Sequence, residues 1–441
     1  MKESKDSLLT AARLVIDEAR RLGATDCEIA IASGQSTDVG VRLGDVEKLE
    51  GANSRGLTFQ AFVGHRSASN HTSDFRKSAL ATMVAETIAM AKASEEDPFA
   101  GLPEKEHLAT AVPELGLLDP AVAAVSPERK IEMALAAEKA AREADKRISN
   151  SQGAKYSDRS GITVYANSLG FVGSYSGSMC SIYAGVVASQ DGQMQVGGWG
   201  AASRSLSRLE TPASVGREAA RRALRMLGAK KVKSQVVPVV FDPQTAASLL
   251  GHFVGAAVGS HVYRNSSFLA GKLGEMVADA NITIIDDPLM IGGLGSRPFD
   301  GEGLPMRKRT IVEKGKLATY LLNSYAARKL STVPNCGGTG NLYLEPGLLS
   351  PEEIIASVEN GLYLTSVSGP GFNMVTGDYS LGASGIWIED GELAFPVEGI
   401  TIASNLLAMF ANIDAVGNDL VFRSSTVSPT IKIASMTVAG E

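Results

Sequence analysis

The sequence predicts an α+β fold: an N-terminal α+β region with antiparallel sheets, then a C-terminal, largely antiparallel β domain with a few helices. Three observations carry this expectation. Short runs that alternate apolar and polar residues recur along the chain and are broken by Gly, Asn or Asp turn signals. Helical periodicity is confined to isolated blocks. No strand–helix–strand rhythm is sustained, as a parallel sheet would require. At 441 residues the chain is too long for one typical core, and its composition shifts divide it into regions 1–100, 101–228 and 229–441.

The first helix is marked by Leu8, Ala12, Val15, Ala19 and Leu22, one stripe that stops at Gly23. Residues 26–72 alternate in short runs such as "CEIAIAS" and "LTFQAFV", the pattern of a meander. Leu80, Val84, Ile88 and Ala91 define a helix behind an Asp74 cap. "SEEDPFAGLPEKE" reads as a linker. Ser126-Pro127 opens a helix to about Lys146, with proline in the first helical position. Gly- and Ser-rich strands fill 149–206, Thr211-Pro212 starts a helix ending near Leu227, and "GAKKVKSQ" reads as a second linker. The strand "VVPVVFD" leads into "SLLGHFVGAAVGSH", read as one helix from Ser248 to His261. Ser350 and Glu353 form a capping box for a helix ending at Gly361. "VEKGKLATY" and "IEDGELAFP" read as hairpins turning at Lys-Gly and Asp-Gly.

Bulk properties exclude several functions. Forty-two basic against 48 acidic residues give a net charge of −6, so nothing global draws the chain to phosphate backbones or anionic lipid. The amino terminus lacks the apolar run of a signal peptide, and the uncharged stretch from Pro243 to Tyr263 is interrupted by Gln244, Ser248, His252 and Ser260. No membrane span and a cytoplasmic location are therefore expected. Cys27, Cys180 and Cys336 lie far apart in no CxxC pair, which argues against disulfides and zinc knuckles.

Candidate motifs are weighed by spacing. His252 and His261, nine apart on a straight helix, would point about 180° from one another and cannot share a metal ion. Neither has a neighbouring glutamate to act as a base. Gly251, Gly255 and Gly259 would form one bare stripe, for which close backbone approach is the expected reason. "FLAGKLGE" places Leu273 where a phosphate loop needs Ser or Thr, and "IGGLGSRP" has Pro298 where a dinucleotide loop needs glycine. "GSYSG" centres on Tyr175, so it is not a nucleophile elbow. His65 and His71, read as sharing one strand, lie too far apart to pair. Arg217, Arg221 and Arg225, extended by Lys230, Lys231 and Lys233, form a basic stripe, read as a solvated face rather than a nucleic-acid site.

The succession "EEDPFAGLP", "SFLAGKLGEMV", "FDGEGLPMRKRTIVEKGKLATYLLNSYAARKL", "TGNLYLEPG" and "VGNDL" resembles the PmbA/TldD family over nearly the whole chain, and "EEDPFAGLP" resembles its PmbA (TldE) branch. In that family the TldD subunit carries His-Glu-x-x-x-His on the helix after the "VVPVVFD"-like strand, and a cysteine near the carboxyl terminus as a further ligand. Laid on this chain, the first histidine falls on Gly251, the glutamate on His252 and the second histidine on Ala256. No cysteine follows Cys336.

The resemblance thus implies a subunit without a metal site or catalytic residues of its own, with Gly251, His252, Gly255 and Ala256 marking the vacated positions and a substrate chamber. Zinc is expected in a TldD-type protease partner, and unfolded or flexible peptides are the expected substrates. The sequence leaves open whether the chain pairs with itself when that partner is absent. The family's other name, modulator of DNA gyrase, implies a second reading: a regulatory protein that binds gyrase or another protein without proteolysis.

Overall fold

The structure, a computed structural model, describes residues 4–441. The amino-terminal half comprises α1 (Lys5–Arg21), β1 (Asp26–Arg42), β2 (Asp45–Val63), β3 (Arg66–Thr72), α2 (Lys77–Ala93), α3 (Pro120–Ala124), α4 (Pro127–Arg142), β4 (Ile148–Asn167), β5 (Val172–Gln190), β6 (Gln193–Ser203) and α5 (Pro212–Leu224). Its strands make one antiparallel sheet in the order β3-β2-β1-β4-β5-β6. The pairing of β1 with β4 carries this sheet across the boundary between regions 1–100 and 101–228.

Side-chain alternation assigns the two faces of the sheet. Ile29 and Ile31 of β1 with Val164 of β4 pack beneath α1 and α2, while Val39 and Val41 with Tyr156 pack beneath α4 and α5. These residues share one face. The opposite face carries Glu28, Gly34, Tyr165 and Tyr175, and the carboxyl-terminal half docks on one end of it through Phe299, whose ring lies 5.4 Å from Tyr175 and 5.3 Å from Phe171.

Four of these strands run 17 to 20 residues, longer than the broken sequence pattern suggests. Glycines that read as breaks lie inside them. Gly34 and Gly161 are cross-strand partners, and a Cβ on either would sit 2.7 Å or 2.6 Å from a carbonyl oxygen of the facing strand. Glycine here permits close strand contact rather than a turn.

The carboxyl-terminal half opens with β7 (Gln235–Phe241) and α6 (Pro243–Gly255). Strands Glu392–Asn405, Asp378–Glu389 and Asn360–Ser368, then β7, Ile431–Ala439 and Ile413–Val416, form a second sheet in that order. Glu392–Asn405 also pairs with Ile431–Ala439, closing the sheet into a barrel. Only β7 and Asn360–Ser368 are parallel neighbours in it. The α+β class and the largely antiparallel carboxyl-terminal domain are as the sequence predicts. The hairpins at Lys314-Gly315 and Asp390-Gly391 form with positive φ at both turn residues, and both bonds of the Ser350–Glu353 capping box are present.

Other expectations need correction. Asp74 does not cap α2: its carboxylate is taken by Arg76, and α2 starts at Lys77 without a side-chain cap. The segment from Ser248 to His261 is not one helix. α6 ends at Gly255, and a separate turn, Gly259–Val262, follows Val258 in extended conformation. His65 lies in the turn before β3, outside the strand that holds His71. The capped helix after Ser350 closes at Ala356, because Asn360–Ser368 is already a strand.

The first linker is also more than a tether. Arg328 donates to the carbonyls of Phe99, Gly101 and Leu102, and Tyr325 donates to Asp97 at 2.7 Å. Residues 97–102 are therefore clamped to helix Ser324–Lys329 of the carboxyl-terminal half.

Candidate functional site

α6 begins where Asp242, buried after β7, accepts the Thr245 amide at 2.9 Å, and Pro243 occupies the first turn. Leu249, Leu250, Phe253 and Val254 bury its inner side. On the outer side, Gly251 is exposed and a Cβ there would meet nothing within 4 Å, while one on Gly255 would only touch the Met374 methyl at 3.5 Å. His252 is half-buried and stacks on Phe372, with ring centroids 4.7 Å apart and planes 24° apart; Tyr379 lies 6.0 Å away. Burial holds the imidazole below its ordinary pKa, so it is neutral at pH 7, and its Nδ1 has no hydrogen-bond partner. Ala256 is fully buried.

The expected glycine stripe therefore divides. Only Gly259 is in close approach, where a Cβ would lie 2.5 Å from Ala326 Cβ and 3.1 Å from the Leu321 carbonyl. The reason is the helix break, which swings Gly259 out of line with Gly251 and Gly255. Gly251→Ala is expected to stabilise the protein by about 0.5–1 kcal/mol, as a mid-helix glycine with room for a methyl group. Gly259→Ala is expected to destabilise it by about 1–3 kcal/mol through overpacking. Denaturant midpoints of the two variants should move in opposite directions.

The zinc centre that the fold family implies does not fit these residues. Gly251 and Ala256 offer no donor atom, and His252 supplies a single imidazole held against an aromatic ring. Among the described residues, no three His, Cys, Asp or Glu side chains group so as to hold a metal ion. Cys27, Cys180 and Cys336 are buried free thiols, with Cys27 and Cys336 pushed up to about 12 and Cys180 to about 11, mainly by burial.

The basic stripe is partly engaged by the protein's own side chains. Glu218 accepts from both Arg221 and Arg222, Arg222 lies over Trp199 at 4.2 Å, and Arg225 is half-buried with its pKa lowered first by burial. Arg217 and Arg221 are exposed, Arg221 while held by Glu218.

The open sheet holds a concavity that sequence spacing did not reveal. On the helix-free face, a recess of about 610 Å³ is lined by Ala32, Gly34, Asp38, Arg159, Thr163 and Met179, among others. On the opposite face, a cleft of about 480 Å³ lies between the two helical layers, over Ser33, Gln35, Asn53, Ser160 and Ile162. Neither concavity includes a residue of α6. The only signal of them in the sequence is the density of Ser and Gly at alternating positions, which a single strand also shows when it merely packs closely.

Comparison with known proteins places this architecture among metallopeptidases. The descriptions PmbA/TldA metallopeptidase domain 1, central domain and C-terminal domain match residues 27–91, 120–227 and 234–440. The chain belongs to the PmbA/TldD family. Metalloprotease PmbA of Escherichia coli O157:H7 is 37% identical over 416 residues, 94% of this chain and 92% of the relative. The metalloprotease PmbA homolog of Haemophilus influenzae is 34% identical over 443 residues, 100% of this chain and 98% of the relative. A Bacteroides thetaiotaomicron protein named as a modulator of DNA gyrase superposes with a TM-score of 0.95 at 29% identity, covering 99% of this chain and 100% of its own. TldE of Thermococcus kodakarensis shares the fold, with a TM-score of 0.87 at 21% identity over 98% of this chain and 100% of its own.

Proposed function

We propose that this chain is the non-metal subunit of a TldD/TldE-type heteromeric metalloprotease, acting on unfolded or flexible peptides. The observation that carries the reading is the outer side of α6. At the positions where the family resemblance places two histidines and a glutamate, the chain has Gly251 facing open space, Ala256 sealed in the core and His252 stacked on Phe372. Such residues can shape a chamber wall but cannot ligate zinc or activate water. Gly251, His252 and Gly255 would back that chamber, and the sheet would contribute a polar surface along which an extended backbone can lie. We read the chain as three segments, 1–100, 101–228 and 229–441, the first two sharing the large sheet. Relatives named as modulators of DNA gyrase supply the competing reading, binding without proteolysis.

The deciding experiment is cleavage of a disordered peptide by this chain, by a TldD-type subunit and by the pair, with and without chelator. The expected result is no cleavage by this chain, cleavage by the pair, and loss of it with chelator, while His252→Ala leaves the pair active. Equal cleavage by the TldD-type subunit with or without this chain would overturn the proposal. So would chelator-resistant cleavage by this chain alone, and gyrase binding in the absence of a protease partner would favour the competing reading.

A further inference from the structure

The outer edge of β2 is unpaired over most of its length. β1 pairs with β2 from Asp45 to Phe62, but β3 covers the other side only from Leu57 to Val63. Every residue from Arg42 to Arg55 is exposed, so no helix or loop of this chain shields that edge. Two large apolar side chains stand out in solvent there, Val46 at 45% and Leu49 at 53%. A long, open, partly apolar edge is a template for another strand, which proteins normally blunt with charge.

The charges on this edge have a self-complementary order. In an antiparallel pairing of "DVEKLEGANSR" with its own copy about a two-fold axis through Leu49, Lys48 faces Glu50 of the second copy and Glu50 faces its Lys48. Asp45 then faces Asn53, Val46 faces Ala52, and the two Leu49 side chains meet on the axis. Moving the axis one residue either way sets Lys48 on Lys48 or Glu50 on Glu50. Half-residue shifts would oppose side chains from opposite faces and are closed to a symmetric antiparallel pair. Within one chain Lys48 Nζ already lies 2.7 Å from Glu50 Oε2, so the pairing would join two such bridges into a four-charge square.

We propose that two copies of this chain associate through the open edge of β2 in this register, joining their amino-terminal sheets into one. The association is independent of the protease reading and requires neither metal nor partner subunit. It is isologous, so each side-chain contact occurs twice.

Sedimentation equilibrium of the full chain at micromolar concentration tests it. The expected species is a dimer. Lys48→Glu should weaken association roughly tenfold or more, because symmetry turns two attractive pairs repulsive at once, and Glu50→Lys should do the same. The double exchange, Lys48→Glu with Glu50→Lys, should restore it. Both residues are exposed, so circular dichroism should be unchanged throughout. Leu49→Cys should give a covalent dimer on mild oxidation, since partners in an antiparallel pair lie about 4.5–5.5 Å apart and the native thiols are buried. A monomer at every concentration tested, a double exchange no better than either single change, or a Leu49→Cys protein that stays uncrosslinked would each overturn the proposal.

Discussion

Replacing Arg309 by alanine is expected to destabilise the carboxyl-terminal half by about 3–5 kcal/mol, the cost of leaving a buried charge without its partner. Arg309 lies 3.1 Å from Asp286, which is completely buried on strand Ile284–Asp286. The same guanidinium donates to the carbonyls of Asn335, Cys336 and Gly338, while Asp286 accepts the Gly340 amide at 2.6 Å. One ion pair therefore holds the whole loop 335–340, including Cys336 in the left-handed region at φ 75. Two measurements check this. The denaturant midpoint of Arg309→Ala should fall well below that of the double change Asp286→Asn with Arg309→Met, which leaves no charge stranded. The Cys336 thiol should also begin to react with a thiol reagent under native conditions. A midpoint within experimental error of the wild type would show that the pair contributes little.

A second large effect is expected at Glu28, with a definite sign against pH. Glu28 faces the docked carboxyl-terminal half, where burial pushes its pKa from 4.5 up to about 7, and the charges of Glu302 and Asp300 act in the same direction. A hydrogen bond from the Tyr165 hydroxyl at 2.6 Å opposes them. Asp300 and Glu302 are themselves raised, chiefly by burial; Asp300 accepts the Glu302 and Leu304 amides, and Glu302 accepts from Ser324. Folding thus favours the protonated form of Glu28. Its contribution is fully present below about pH 4.5 and is lost as pH rises through 7, about 3 kcal/mol in all at about 1.4 kcal/mol per unit. Glu28→Gln should be more stable than wild type at about pH 8 and should flatten this part of the stability profile. Unchanged pH dependence in the variant would place the titrating proton elsewhere.

Much of the fold was legible because local rules and packing agree in it. Ser126, Thr211 and Ser350 cap their helices through side-chain bonds to backbone amides, and Pro follows each cap. The turns at Lys314-Gly315 and Asp390-Gly391 need positive φ, which those residue pairs tolerate. What escaped depends on partners remote in sequence. Gly34 and Gly161 read as turn signals, yet each is required by the other's strand. Residues 97–102 look like a tether until Arg328 supplies donors for their carbonyls. At the candidate site, the spacing argument for His252 and His261 presumed one straight helix, a premise the break after Gly255 removes. That break was not legible, because Val258 leaves the helix to bridge Leu321 and the Gly259 amide then bonds the Leu321 carbonyl.

The pairing of β1 with β4 also sets an order of assembly. Ser168 donates to Asp26 across 142 residues, so strand β1 emerges from the ribosome long before the neighbour that completes its ladder. At ordinary rates of synthesis that wait is on the order of ten seconds. Through it, β1, β2 and β3 can form only a three-stranded meander whose β1 edge is unsatisfied, and the apolar residues beneath α1 lack Val164 and Ala166. The nascent amino-terminal segment is consequently a natural client for holding chaperones, and a fragment ending before β4 should accumulate as insoluble material rather than as a smaller working module.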